Sequence, residues 1–169
     1  MLAFVTFIDK FNRLIGRGVS VAVLLMTLIT FLVVVLRYGF DTGWIALQES
    51  VMYLHAMLFM LGAAYTLRED GHVRVDVFYR SFSEKGKALV NLVGTLLLLF
   101  PTCIFILFMS WDYVSTSWRL LESSKEAGGL PLVFILKSLI PIFCVLIMLQ
   151  GGAEILRNAI TLSSKGAKP

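Results

Sequence analysis

The sequence predicts an all-α integral membrane protein: four transmembrane helices, both termini in the cytoplasm (N-in/C-in), and an N-terminal amphipathic helix at the membrane interface. Three observations lead there. The chain is 58% hydrophobic and 15% charged, with a mean hydropathy of +0.85, whereas globular chains carry about 25% charged residues. Its apolar residues gather into four runs, 19–36, 45–67, 88–111 and 130–156, each long enough to cross a hydrocarbon core of about 30 Å. Its basic residues are shared unevenly among the segments between those runs, which sets orientation. The organisation expected is one four-helix membrane domain over residues 1–169, because no polar stretch is long enough for a second domain.

Within residues 1–17, Phe4, Phe7, Ile8, Phe11, Leu14 and Ile15 recur at helical spacing, with Asp9, Lys10, Asn12, Arg13 and Arg17 opposite. This pattern is too charged to span and suits a helix lying in the headgroup layer; the other reading is an ordinary start to the first spanning helix. Phe4, Phe7 and Phe11 would enter the acyl boundary, and Lys10 and Arg13 would meet anionic lipid. The next run, 19–36, exceeds a signal-peptide core and has no small-residue cleavage site after it. A short turn, Arg37–Gly43, makes the first two spans antiparallel neighbours. The second span, Ile45–Leu67, has 23 residues, about 35 Å of helix. Ser81-Phe82-Ser83-Glu84 has the form of a capping box for the third. Pro131 suits the first turn of the fourth, and Pro101 and Pro141 predict kinks inside spans. The Ser/Gly/Lys tail 163–169 is expected to be disordered.

Eleven basic residues flank the first segment, the second connection and the tail, against three (Arg37, Arg119, Lys125) beside the other two connections. Both termini are therefore expected in the cytoplasm. On that topology Glu49, Lys137 and Arg37 lie at similar depth near the outer boundary, and Glu49 is expected to accept from Lys137 or Arg37. The competing expectations are that Lys137 snorkels to the headgroups alone or that a partner subunit supplies the pairing group. His55, near mid-span, suits a hydrogen bond to a neighbouring helix. Gly62-Ala63-Ala64 permits close helix approach, and Trp44, Trp111 and Trp118 suit an aromatic belt. Cys103 and Cys144 sit in apolar runs and read as core residues without a disulfide. No nucleophile with a base, phosphate loop or metal-ligand spacing is visible, so neither an enzyme nor a cofactor is expected, nor a nucleic-acid partner.

The stretch from Arg37 through Trp44, Glu49 and Leu61-Gly62-Ala63-Ala64 to Arg68-Glu69-Asp70-Gly71-His72-Val73-Arg74-Val75-Asp76 resembles the small permease subunit of tripartite ATP-independent periplasmic (TRAP) transporters, the DctQ-like family. The resemblance implies a scaffold in the bacterial inner membrane, paired one-to-one with a large permease that carries the substrate and sodium sites. It implies a periplasmic binding protein that delivers an organic acid, sialic acid first among the candidates and C4-dicarboxylates next. Its motif residues fall here on Arg37, Trp44, Glu49, Arg68, His72 and Asp76. With Lys137, they are given structural or subunit-interface roles. His72 and Asp76, four apart, allow a helical turn, while Val73, Val75 and Val77 equally allow an extended segment. The other readings weighed are a haem-bearing anchor, a proton-coupled small exporter using Glu49, and an anchor subunit of another membrane complex.

Overall fold

The computed structural model describes residues 2–73 and 76–163. Helix α1 runs Leu2–Gly39, α2 Ile45–Arg68, α3 Asp76–Tyr79, α4 Glu84–Gly94, α5 Phe100–Leu120 and α6 Val133–Ser163. A π-helical turn, Thr95–Leu99, joins α4 to α5 into one rod. Four rods (α1, α2, α4–α5 and α6) are thus long and apolar enough to cross a membrane. Because they alternate in direction, the start of α1, the 69–83 connection and the end of α6 share one end of the bundle, here the terminal end. The turns 40–44 and 121–132 occupy the other, the loop end.

Helix α6 is the hub, packing against α1, α2, α4 and α5, while α1 lies along α2. Small residues explain the role. Gly151 and Ala153 are buried on α6, and a Cβ at Gly151 would come within 3.1 Å of the Leu99 and Phe100 side chains. Side chains of the π turn and of Phe100 therefore rest on a glycine. Cys103, Cys144 and Ile147 form one buried cluster with Ala63 and Leu67 of α2 beside it, and both cysteines are free.

Several local expectations change. The break expected after residue 17 is absent: α1 is one helix of 38 residues, about 57 Å long. Its buried seam runs Val5, Ile8, Asn12, Gly16, Val19 and Ala22, the three-and-four spacing of a packed helix. Ile8, grouped by periodicity with the phenylalanines, is 3% exposed, whereas Phe7 is 68% exposed. Close approach of α1 to α2 comes from Gly16, where a Cβ would meet the Tyr65 ring at 2.4 Å, and less from Gly62. The third rod is capped by Ser83, whose Oγ accepts from the Gly86 amide at 3.2 Å, so the Ser81–Glu84 box does not cap it.

Pro101 produces the expected irregularity, as a π turn immediately before it. Proline has no N–H to donate and its ring crowds the carbonyl four residues back, so the wider turn absorbs both defects. Pro141 is carried inside a continuous α6. Pro131 lies ahead of α6 and not in its first turn, and Ser163 is still helical, so the expected tail begins no earlier than 164. Residues 164–169 lie outside the described residues.

Candidate functional site

The loop end is built from the turn after α5. Leu121 closes that helix in the left-handed region, φ 45, and the Glu122 amide reaches back to the Ser117 carbonyl at 3.0 Å, a Schellman-type closure. The chain then folds on itself: Ser124 N donates to Leu130 O at 3.0 Å and Gly129 N to Glu126 O at 3.0 Å. Gly128 takes φ 80, a conformation that glycine adopts without strain. A Cβ on Gly129 would strike Ser124 Oγ at 2.5 Å and Glu49 Oε1 at 2.8 Å. Both glycines are needed for the loop to lie this close to α2.

Glu49 pins that loop. Its Oε2 accepts from the Leu130 amide at 2.6 Å, and its Oε1 accepts from the Ser124 hydroxyl. The acceptor role expected of Glu49 is therefore real, but the expected donors are wrong. Lys137 pairs with Glu122 at 2.5 Å and sits over the Tyr113 ring, 3.8 Å from its centroid. It neither reaches Glu49 nor stands alone. Glu122 follows α5 and Lys137 lies on α6, so the α5–α6 hairpin itself brings the pair together. The Lys137 ammonium, by hydrogen bond and charge, holds the Glu122 carboxyl below the usual carboxylate range. Arg37, in the last turn of α1, is exposed and has no side-chain partner among the described residues. Trp44 is 59% exposed and precedes α2 in extended conformation without capping it. Trp118 donates its indole N–H to Ser138 Oγ at 2.7 Å, tying α5 to α6.

The terminal end holds a second polar junction that sequence reasoning missed. Asp9 of α1 accepts from Arg157 Nη2 at 2.8 and 3.0 Å and from Gln150 Nε2 at 3.2 Å. Asn12 Nδ2 donates to Gln150 Oε1 at 2.8 Å, with Asn12 and Gln150 at 1% and 0% exposure. Arg157 also pairs with Glu154 at 2.9 Å, and Arg68 of α2 pairs with Glu69 and lies 3.6 Å from Asp9. Three helices are thus joined through amides and charges. The one signal was Asn12, a polar residue on a buried seam.

The other sequence-chosen residues divide. Arg68 belongs to this junction. His72 lies back on α2, its Nε2 3.3 Å from the Ala63 carbonyl. Asp76 opens α3, but its side chain and residues 74–75 lie outside the described residues, and so does the conformation left open there. Phe4, Phe7 and Phe11 are exposed along one flank of α1, as are Lys10 and Arg13. Asp9 and Asn12, expected to face water or headgroups, instead turn onto α6. His55 is exposed, stacked near Phe59 at 6.5 Å, and among the described residues it does not make the hydrogen bond expected to a neighbouring helix.

Among the described residues, the bundle has four helices long and apolar enough to cross a membrane, with polar junctions at its two ends. The family model for the DctQ component of tripartite ATP-independent periplasmic transporters matches residues 26–161, and the chain belongs to that family. That family is a transporter component and not an enzyme family, and this chain brings to it those four helices long and apolar enough to cross a membrane. A protein of Haemophilus influenzae assigned by name to the TRAP transporter small permeases is 36% identical over 63% of this chain and 64% of its own length. The C4-dicarboxylate TRAP transporter small permease protein DctQ of Vibrio cholerae is 30% identical over 52% of this chain and 38% of its own. The matched stretches thus span less than two thirds of either relative. No solved structure matches.

Proposed function

We propose that this chain is the small membrane subunit of a sodium-coupled secondary transporter that takes up an organic acid. It scaffolds a large permease, one-to-one, and helps a periplasmic substrate-binding protein to dock. The observation that carries this reading is how little of each span the chain covers by itself. Leu24, Leu28 and Phe31 on α1 and Phe105, Phe108 and Met109 on α5 all stand exposed, an apolar surface suited to lipid and to a larger membrane partner. Among the described residues, four rods with their polar junctions at the two ends suit a subunit that works with a larger partner better than a self-contained carrier.

Eleven basic residues flank the segments at the terminal end, which supports cytoplasmic termini and a periplasmic position for the pinned loop 121–132. There the loop offers a preorganised edge to the binding protein, and Glu49 serves the interface by holding it. Phe4, Phe7, Phe11, Lys10 and Arg13 are the lipid-facing flank of α1. The exporter reading, with Glu49 as the proton-coupled site, is disfavoured because the chain's own loop occupies both carboxylate oxygens.

The test is co-purification of the tagged chain from its native membrane in mild detergent, followed by uptake in proteoliposomes with the partner permease and binding protein. Equimolar recovery of a large permease is expected, with sodium-dependent uptake of sialic acid and, as the second substrate tried, a C4-dicarboxylate. Recovery of this chain alone as a stable homo-oligomer would contradict the proposal. A reporter fused after Pro169 is expected to be active in the cytoplasm, and periplasmic activity would reverse the orientation.

A further inference from the structure

We infer that the outer face of α2 is the seat of one transmembrane helix of the large permease, and that this helix hydrogen-bonds to His55 and Gln48. The inference rests on the subunit reading above and adds where the partner sits. Along α2 the residues Gln48, Met52, His55, Phe59, Gly62 and Thr66 are spaced four, three, four, three and four apart. That is the seam of a helix wrapped by another helix, and α1 flanks it without closing over Met52, His55 and Phe59, which stay exposed. Met52, His55 and Phe59 are the only exposed residues between Ile45 and Arg68, and all three lie on this stripe.

Two grooves of about 530 and 430 Å³ follow the stripe where α2 meets α1. The first is lined by Gln48, Met52 and His55 with Thr27 and Thr30 opposite. The second is lined by Phe59, Gly62 and Thr66 with Val19 and Ser20. The threonine hydroxyls donate to carbonyls of their own helices, so they ask for nothing further. His55 and Gln48 do. Neither side chain has a hydrogen-bond partner among the described residues, and His55 lies about 15 Å along α2 from Ile45, near the middle of the span. Polar side chains there face protein and pair across helices, since lipid offers them nothing.

Gly62 supplies an independent reason. A Cβ there would find only Val19 Cγ2, at 4.0 Å, so packing within the chain does not require a glycine. A close-approaching helix from outside does. The opposite face differs in kind: Leu97, Leu98, Phe105 and Phe108 on the π turn and α5 are exposed and wholly apolar, which suits acyl chains.

The experiment uses the intact complex in native membranes, with a photo-crosslinking benzoylphenylalanine at Met52 or Phe59, and at Phe105 or Phe108 for comparison. Positions 52 and 59 are expected to give a product of the combined mass of this chain and the large permease, and positions 105 and 108 are not. Products only from 105 and 108 would overturn the placement while leaving the subunit reading intact. A crosslinked pair of this chain, or lipid adducts alone, at 52 and 59 would also overturn it. Failure of the unmodified chain to recover any permease would instead remove the reading beneath it. As a second readout, His55→Leu is expected to lower recovered permease about threefold to tenfold, and His55→Gln to restore most of it. Equal recovery with both variants would contradict a hydrogen-bonding role.

Discussion

The two ends of the bundle use polar groups for opposite purposes. At the terminal end, side chains of α1 and α6 bond to one another across 138 to 148 residues of sequence, with Arg68 of α2 3.6 Å from Asp9, and the buried Asn12 amide donates to Gln150, which donates in turn to Asp9. At the loop end the bonds are between a side chain and a turn: Glu49 holds a backbone amide and a serine of the 121–132 segment, while Lys137 and Glu122 pair within the α5–α6 hairpin. The first arrangement fixes helices against helices. The second fixes a surface against the bundle. Losing the former should loosen the fold, and losing the latter should leave the fold and free the loop.

The largest expected effect is Gln150→Leu. The near-isosteric change strands the Asn12 amide and one Asp9 contact, and an unsatisfied buried polar group costs about 1–3 kcal/mol. Thermal unfolding in micelles should register a loss of that size. A loss within measurement error would show that the junction does not hold the helices. Gly129→Ala comes next, because the added Cβ overlaps Ser124 and the Glu49 carboxylate. Overpacking typically costs about 1–3 kcal/mol, and here relief by outward movement of the loop should appear as protease cleavage within 121–132 while the helices stay resistant.

Smaller effects separate the ion pairs. A double-mutant cycle on Glu122 and Lys137 should show coupling, and one on Glu49 and Lys137 none beyond error. The reverse result would restore the pairing that sequence depth suggests. Glu122 also carries a pH signature. Its carboxyl is held below its ordinary value, so its contribution is fully present above the ordinary carboxylate range, near pH 4.5, and fades as pH falls through that range. Wild type and Glu122→Gln should therefore differ in melting temperature at neutral pH and converge in acid. A constant difference would place the effect elsewhere.

Much of this was legible in the sequence. The four spans follow from hydropathy, and the acceptor role of Glu49 follows from a carboxylate placed just inside an apolar run. Its donors did not follow, because depth arguments rank cations and overlook backbone amides: Leu130 N–H is invisible until the loop geometry is known. Lys137 was assigned to the wrong acid because Glu122 lies just outside the span and escaped the tally of intramembrane charges. The terminal junction was hidden for another reason. Asp9, Asn12 and Arg13 look alike on a helical projection, and only the partner helix decides that Asn12 is core and Arg13 is surface. The three-and-four seam from Val5 to Ala22 carried that information, masked by the bulkier phenylalanine flank.

The most direct test of the contrast between the ends is amide hydrogen exchange on wild type and Glu49→Gln in lipid nanodiscs. Faster exchange at Leu130 and through 121–132, with the amides around Asn12 and Gln150 unchanged, is the predicted result. Unchanged exchange in the loop, or loss of protection at both ends together, would contradict the claim that Glu49 holds a surface and leaves the fold to the terminal junction.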